Sequence, residues 1–210
     1  MMTQRFSNRL ALAGLIGPLL FTVLVIIQGL LQPDYSHIAM PISALAAWPY
    51  GWLQNLNFAT TSLLHAAFVV SLHRAIPPAR FGLAGIGLLL LTSVGLMTVA
   101  FAPWVRQNGE LVEPPLHVLG AVLTFLCASA GLVALSRRMA ADAGWHRFAN
   151  YTLGTGVVMF VLFIVVGFFS IEEGTPFHAW SGALQRMLVA VWFAWMITTA
   201  WRAVRPAATG

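Results

Sequence analysis

The sequence predicts an all-α integral membrane bundle of six transmembrane helices, a single domain over residues 1–210. Three observations predict it. Of the 210 residues, 59% are hydrophobic and only 8% are charged, against about 25% charged in an average soluble domain. A surface that sparse in charge has lipid rather than water as its natural solvent. The apolar residues fall in six runs long enough to cross the roughly 30 Å hydrocarbon layer at about 1.5 Å per residue. The connections between the runs are too short to fold alone.

The first run, residues 10–31, follows Arg5 and Arg9. A secretory signal would have an apolar core of about 7–15 residues with a small-x-small cleavage site after it. This run is longer and ends in Gln32-Pro33-Asp34, so it reads as a retained transmembrane helix. The second run, 52–72, is closed by His73-Arg74 and Pro77-Pro78, and the third, 81–102, by Pro103-Trp104. The fourth, 116–135, opens after Pro114-Pro115 and is stopped by Arg137-Arg138. The fifth covers 148–170, and the sixth covers 182–201, followed by Arg202 and Arg205.

Charge sets the expected orientation. Arg5, Arg9, Arg74, Arg80, Arg137, Arg138, Arg147, Arg202 and Arg205 fall on one side, and only Arg106 and Arg186 on the other. The positive-inside bias puts the first side, with both termini, in the cytoplasm, and makes this a multi-pass protein of the cell membrane. Asp34, Glu110, Glu113, Glu172 and Glu173 then lie outside. Trp48, Tyr50, Trp52, Trp104 and Trp180 are expected at the outer interface, and Trp145, Tyr151 and Trp201 at the inner one. The net charge of +5 comes from short clusters between apolar runs, which excludes a nucleic-acid footprint. The single Cys127 excludes an internal disulfide and a cysteine-based zinc site. Gly82, Gly85 and Gly87 in the third span and Gly120, Ala128 and Gly131 in the fourth suit close helix contacts, with a homo-oligomer face as their second use.

The chemistry is expected on the outer face. Residues 34–58 form a polar, Pro-rich connection holding His37, Ser43, Gln54 and Asn57, and two similar connections follow. In the second span Asn57, Thr61 and His65 stand at i, i+4 and i+8, one face of a helix, with Gln54 above them. Such a stripe faces the bundle interior, either as a polar track or as interhelical hydrogen bonding. His117 sits in the first turn of the fourth span, where the helix dipole favours the neutral imidazole. A neutral His accepts a proton or a ligand hydrogen bond, and Glu113, four residues earlier, could orient it. Gln185-Arg186 lies about one turn into the sixth span. Arg186 either snorkels outward, pairs with an outer acid, or grips a carboxylate or phosphate in two-point fashion. Ser43 reads as a cap on a short interfacial helix.

His37, His117 and His178 are the weak candidates for zinc. They are far apart in sequence and show no paired metal-ligand spacing, so no metal is expected. His65 has no evident partner at its depth for a haem, and no phosphate loop or nucleophile elbow occurs, so no cofactor is expected.

Set together, Pro41-Ile42-Ser43-x-Leu45, Gly51-Trp52-x-Gln54 with Asn57-Phe58, Leu116-His117-x-x-Gly120 and Gly182-x-x-Gln185-Arg186 open the outer loop and the second, fourth and sixth spans. This layout resembles the family catalogued as domain of unknown function 998, small six-span membrane proteins, over nearly the whole chain. The resemblance implies the fold and no activity, and it points to Ser43, Gln54, Asn57, His117, Gln185 and Arg186 as the site. Members tend to carry an Asp shortly after the third span, where this chain reads Phe101-Ala102-Pro103-Trp104-Val105-Arg106. That departure counts against an acid-dependent metal site.

Three functions are open at this level. The leading one is binding or sensing of a small or lipid-like anionic ligand, with Arg186 as anchor and His117, Gln185 and Asn57 orienting it. A membrane enzyme on a lipid-linked substrate would use His117 as base. A transporter, or a structural partner of another membrane protein, is the third. The broken helices and half-repeats expected of a transporter are not evident.

Overall fold

The computed structural model of the chain describes residues 2–79, 82–170 and 173–204, with the side chains of residues 2–8 and of Gly82 excepted. Arg80, Glu172, Arg205, Gly82 and the Arg5 side chain, which entered the expectations above, lie outside the described residues.

Six helices carry the fold: α1 (Met2–Leu31), α2 (Gly51–Ala75), α3 (Gly82–Phe101), α4 (Pro115–Ala140), α5 (His146–Phe169) and α6 (Ser181–Val204). All six contain a stretch long and apolar enough to cross a membrane. Two short 3-10 segments, Ile42–Ala47 and His178–Trp180, and a hairpin of β1 (Val105–Gln107) and β2 (Glu110–Val112) lie in the connections. Each helix packs on its neighbours in the chain, and α6 closes on α1. The result is a ring of antiparallel helices, and its even number of spans brings the chain back to the end where it began.

The ring is inside-out in polarity, as a lipid solvent requires. Leu30, Leu31, Leu63 and Phe168 are among many large apolar side chains left on the outside. Gln54, Asn57, Thr61 and His65 on α2 are buried in the interior, at most 1% exposed. The expected polar stripe therefore faces inward.

The tightest helix pair is α3 with α4. A Cβ on Gly95 would come within 2.7 Å of the Gly120 carbonyl oxygen, and one on Gly85 within 3.1 Å of the Gly131 oxygen. Only glycine allows backbones that close. Gly87, expected at this contact, has nothing near it and faces away, whereas Gly95 was not anticipated.

Two further expectations are corrected. Arg137-Arg138 does not stop α4, which continues to Ala140. Arg138 turns inward and is 1% exposed, so the helix needs no end there. Trp48 and Trp145 are buried rather than interfacial anchors, while Tyr50, Trp52, Trp180, Tyr151 and Trp201 are exposed. The connection 103–114 holds a β-hairpin that was not anticipated. Asn108 and Gly109 both have positive φ, 53° and 88°, and this two-residue turn pairs Gln107 with Glu110 and Arg106 with Leu111.

Candidate functional site

The site is built by residues 35–48, which fold over and into one end of the ring. Ile42, Ser43, Ala44 and Leu45 of the 3-10 segment are all buried, so this segment acts as a plug. Two glycines seat it. A Cβ on Gly51 would collide with the Ala46 carbonyl, and one on Gly182 with the Met40 carbonyl. Both belong to motifs noted in the sequence, and close approach of the plug backbone is their physical reason.

Helix α6 then holds the plug by hydrogen bonds. The Ile42 N–H donates to Gln185 Oε1 at 2.6 Å, Ser181 Oγ donates to the Ala39 carbonyl at 2.6 Å, and the Ala183 N–H donates to the Ile38 carbonyl at 2.9 Å. Gln185 thereby caps the 3-10 segment from across the bundle. Ser43, expected as the cap, sits inside the segment, and its N-cap position is Pro41 with no side-chain cap.

Arg186 is committed to the same task. Its Nη1 donates to the Met40 carbonyl at 3.1 Å and the Gly182 carbonyl at 2.9 Å. Its Nη2 donates to Tyr35 Oη at 2.6 Å and His37 Nδ1 at 3.1 Å. Tyr35 Oη passes a hydrogen bond on to the Pro41 carbonyl at 3.0 Å. Every partner is neutral, and no carboxylate pairs with Arg186 among the described residues. Burial and the Arg186 charge together hold the His37 pKa below its usual value, which fits an Nδ1 that accepts. Burial also raises the Tyr35 pKa. The hairpin joins this cluster through Arg106, whose guanidinium lies 4.6 Å from the Trp48 ring centroid. Trp48 in turn meets Tyr35 edge-on at 5.6 Å.

Beneath the plug lies a small cavity of about 40 Å³. Ile42, Ser43, His117 and Gln185 line it, with Thr124 deeper in and Phe21, Phe58, Leu96, Phe125 and Val189 among its apolar walls. His117 is 2% exposed. Its Nδ1 lies 2.7 Å from the Ala102 carbonyl oxygen, a bond that requires the proton on Nδ1 and leaves Nε2 as acceptor. Glu113 Oε1 is 3.8 Å from Nε2, and burial pushes the Glu113 pKa up. The group that orients His117 is thus a backbone carbonyl on α3's exit rather than Glu113.

Of the six expected site residues, Ser43, His117 and Gln185 converge on the cavity, and Arg186 stands beside them in the plug. Gln54 and Asn57 do not line it. Gln54 Oε1 accepts from Gln28 Nε2 at 3.0 Å, and Asn57 Nδ2 donates to the Phe21 carbonyl at 3.3 Å. Both face α1. Gln54 Nε2, Asn57 Oδ1, Thr61 Oγ1, His65 Nε2 and Trp192 Nε1 are buried without a protein partner among the described residues. Gln28, Tyr35, Thr124 and Trp192 were missed; a lone Gln in the first apolar run was the one legible signal among them. His37, His117 and His178 do not come together, and no group of three metal-ligating side chains occurs among the described residues.

Fold and site together define a multi-pass membrane protein, a ring of six helices plugged at one end by its own first loop over a mostly apolar cavity. Within that class the chain belongs to the family described as Protein of unknown function (DUF998), whose model matches residues 15–202. No curated protein and no solved structure matches it.

Proposed function

We propose that the chain binds or senses a small anionic ligand, its charged head at the plug and a small apolar part in the cavity. One observation carries this reading: a mostly apolar cavity lined by Ser43, His117 and Gln185 lies beside the Arg186 cation, which has no carboxylate partner among the described residues. A buried-side cation with only neutral acceptors leaves a positive field for an anion to occupy. Because its N–H groups already hold the plug, Arg186 acts on the ligand by charge and by keeping Ser43 and Gln185 in place. The test is native mass spectrometry of detergent-extracted protein beside Ala121→Phe, which fills the cavity from α4. A co-purifying anionic adduct lost in the folded variant supports the reading; wild type with no adduct sinks it.

The His117 geometry favours a second reading, a membrane enzyme on a lipid-linked substrate. With Nδ1 tied to Ala102, Nε2 is free to take a proton as general base. His117→Ala would then abolish turnover of such a substrate while the protein stays folded. Retained turnover excludes this role.

On the same footing we place both termini in the cytoplasm of the cell, the plug facing outward. Arg9, Arg74, Arg137, Arg138, Arg147 and Arg202 belong to the end opposite the plug. A reporter active only in the cytoplasm, fused after residue 210, is expected to be active; silence overturns the orientation.

A further inference from the structure

A second and larger cavity lies on the outside of the ring, where α3, α4 and α5 meet, well away from the plug. It offers about 470 Å³, more than ten times the plug cavity. Ala84, Leu126, Ala130, Ala134, Val157 and Phe160 form most of its surface, and Arg137 closes one end. Its origin is a run of small side chains over a close helix pair: a Cβ on Gly156 of α5 would come 2.9 Å from the Ser129 carbonyl oxygen of α4. The groove is open toward lipid, since Ala84, Leu126, Ala130 and Phe160 are exposed.

Two features say what covers it. The first is length. From Arg137 to Leu126 is eleven residues along α4, about 16 Å at 1.5 Å per residue. That is about half of the roughly 30 Å hydrocarbon layer, the depth of one leaflet. The second is charge. Arg138 is buried and committed to the carbonyls of Pro77, His73 and Ile76. Its neighbour Arg137 is exposed at the groove end and has no hydrogen bond or ion pair among the described residues. Arg147 and Arg202 stand at the same end of the bundle. A leaflet-deep apolar groove that ends in a free cation matches a chain and a negative headgroup.

We propose that this groove holds an acyl chain of one anionic phospholipid from the leaflet at the arginine end, with Arg137 on its headgroup. The site is separate from the plug cavity and does not depend on the function proposed there.

The experiment reconstitutes the full chain in nanodiscs of phosphatidylcholine and phosphatidylglycerol in equal parts, followed by mild detergent release and native mass spectrometry. Wild type is expected to retain one phosphatidylglycerol in preference to phosphatidylcholine. Arg137→Gln lowers that preference about fivefold. Ala130→Phe, which fills the groove from an exposed position, loses the retained lipid of either kind. Arg202→Gln, whose guanidinium lies over Trp145 instead, keeps the preference. Equal retention of the two lipids by wild type overturns the proposal, as does an unchanged preference in Arg137→Gln. A dimer that forms in place of the lipid adduct and is broken by Ala130→Phe would assign the groove to a second copy of the chain. Should Ala130→Phe fail to fold, the Arg137→Gln comparison decides alone, because that side chain is exposed.

Discussion

Two adjacent arginines on α4 show how little the residue type says about its use. Arg137 is exposed, while Arg138 reaches back across the bundle and satisfies the carbonyls of His73, Ile76 and Pro77 at the end of α2. The His73 carbonyl is one of those a helix leaves unpaired at its C-terminus, Ile76 and Pro77 follow directly after the helix, and a cation suits that end of the dipole. Arg138→Met keeps the bulk and removes these bonds. Hydrogen bonds to a charged group are worth roughly 1.5–3 kcal/mol each, so the loss, softened by resolvation, should be about 2–4 kcal/mol. Chemical unfolding in detergent measures it, with Arg137→Met near neutral. At the other end of the bundle, His37 is expected to make the protein acid-sensitive. Its folded pKa is held below the usual 6.5, by burial first and Arg186 second. A depressed pKa means the folded state favours the neutral ring. The stability it contributes is present above about 6.5 and is lost as pH falls through the folded value. Protonation also puts a second cation against Arg186 and removes the Nδ1 acceptor. Melting temperature should fall on acidification below that point, and His37→Asn should show less of the fall. An identical pH profile in the variant would remove His37 from the account.

At the scale of elements, the plug is held by α6 and seated by glycine. Gly182→Ala places a methyl against the Met40 carbonyl and within 2.8 Å of the His37 oxygen. Backbone atoms cannot swing aside as a side chain does, so residues 37–40 must lift from α6, at a cost of about 1–3 kcal/mol. The readout is faster hydrogen exchange of the Ile42 and Ala183 amides, both bonded across this contact. Unchanged exchange would show that the contact is slack. The hairpin was legible and overlooked: Asn108-Gly109 between Val-Arg-Gln and Glu-Leu-Val is a two-residue turn signal. The extension of α4 past Arg137-Arg138 was not legible, because it rests on where an arginine finds its acceptors, about 60 residues away in sequence.

For the whole molecule, the interior is the polar side. Thr61 Oγ1 and Asn57 Oδ1 are buried without a protein partner among the described residues. Thr61→Val removes such a hydroxyl at nearly constant shape and should leave stability unchanged or slightly raised. A loss above about 1 kcal/mol would mean that an enclosed water or ligand satisfies it.

The sequence by itself determined the solvent, the number of spans and the inward face of α2. Those follow from composition and from a period of 3.6, which are local properties. It also indicated Ser43, Gln54, Asn57, His117, Gln185 and Arg186 as a group, through motifs at the openings of the loop and helices. Only the tertiary structure decided which of them share a cavity. Gln54 and Asn57 lie on the same helix as cavity-lining Phe58, yet their amides turn to Gln28 and the Phe21 carbonyl of α1. Likewise, Arg186 was legible as a cation in need of partners, but besides the Gly182 carbonyl of its own helix the partners are the Met40 carbonyl and the Tyr35 and His37 side chains of a loop some 150 residues earlier. Hydrogen-bond direction depends on which neighbour arrives, and that neighbour is set by ring closure, which no local pattern encodes.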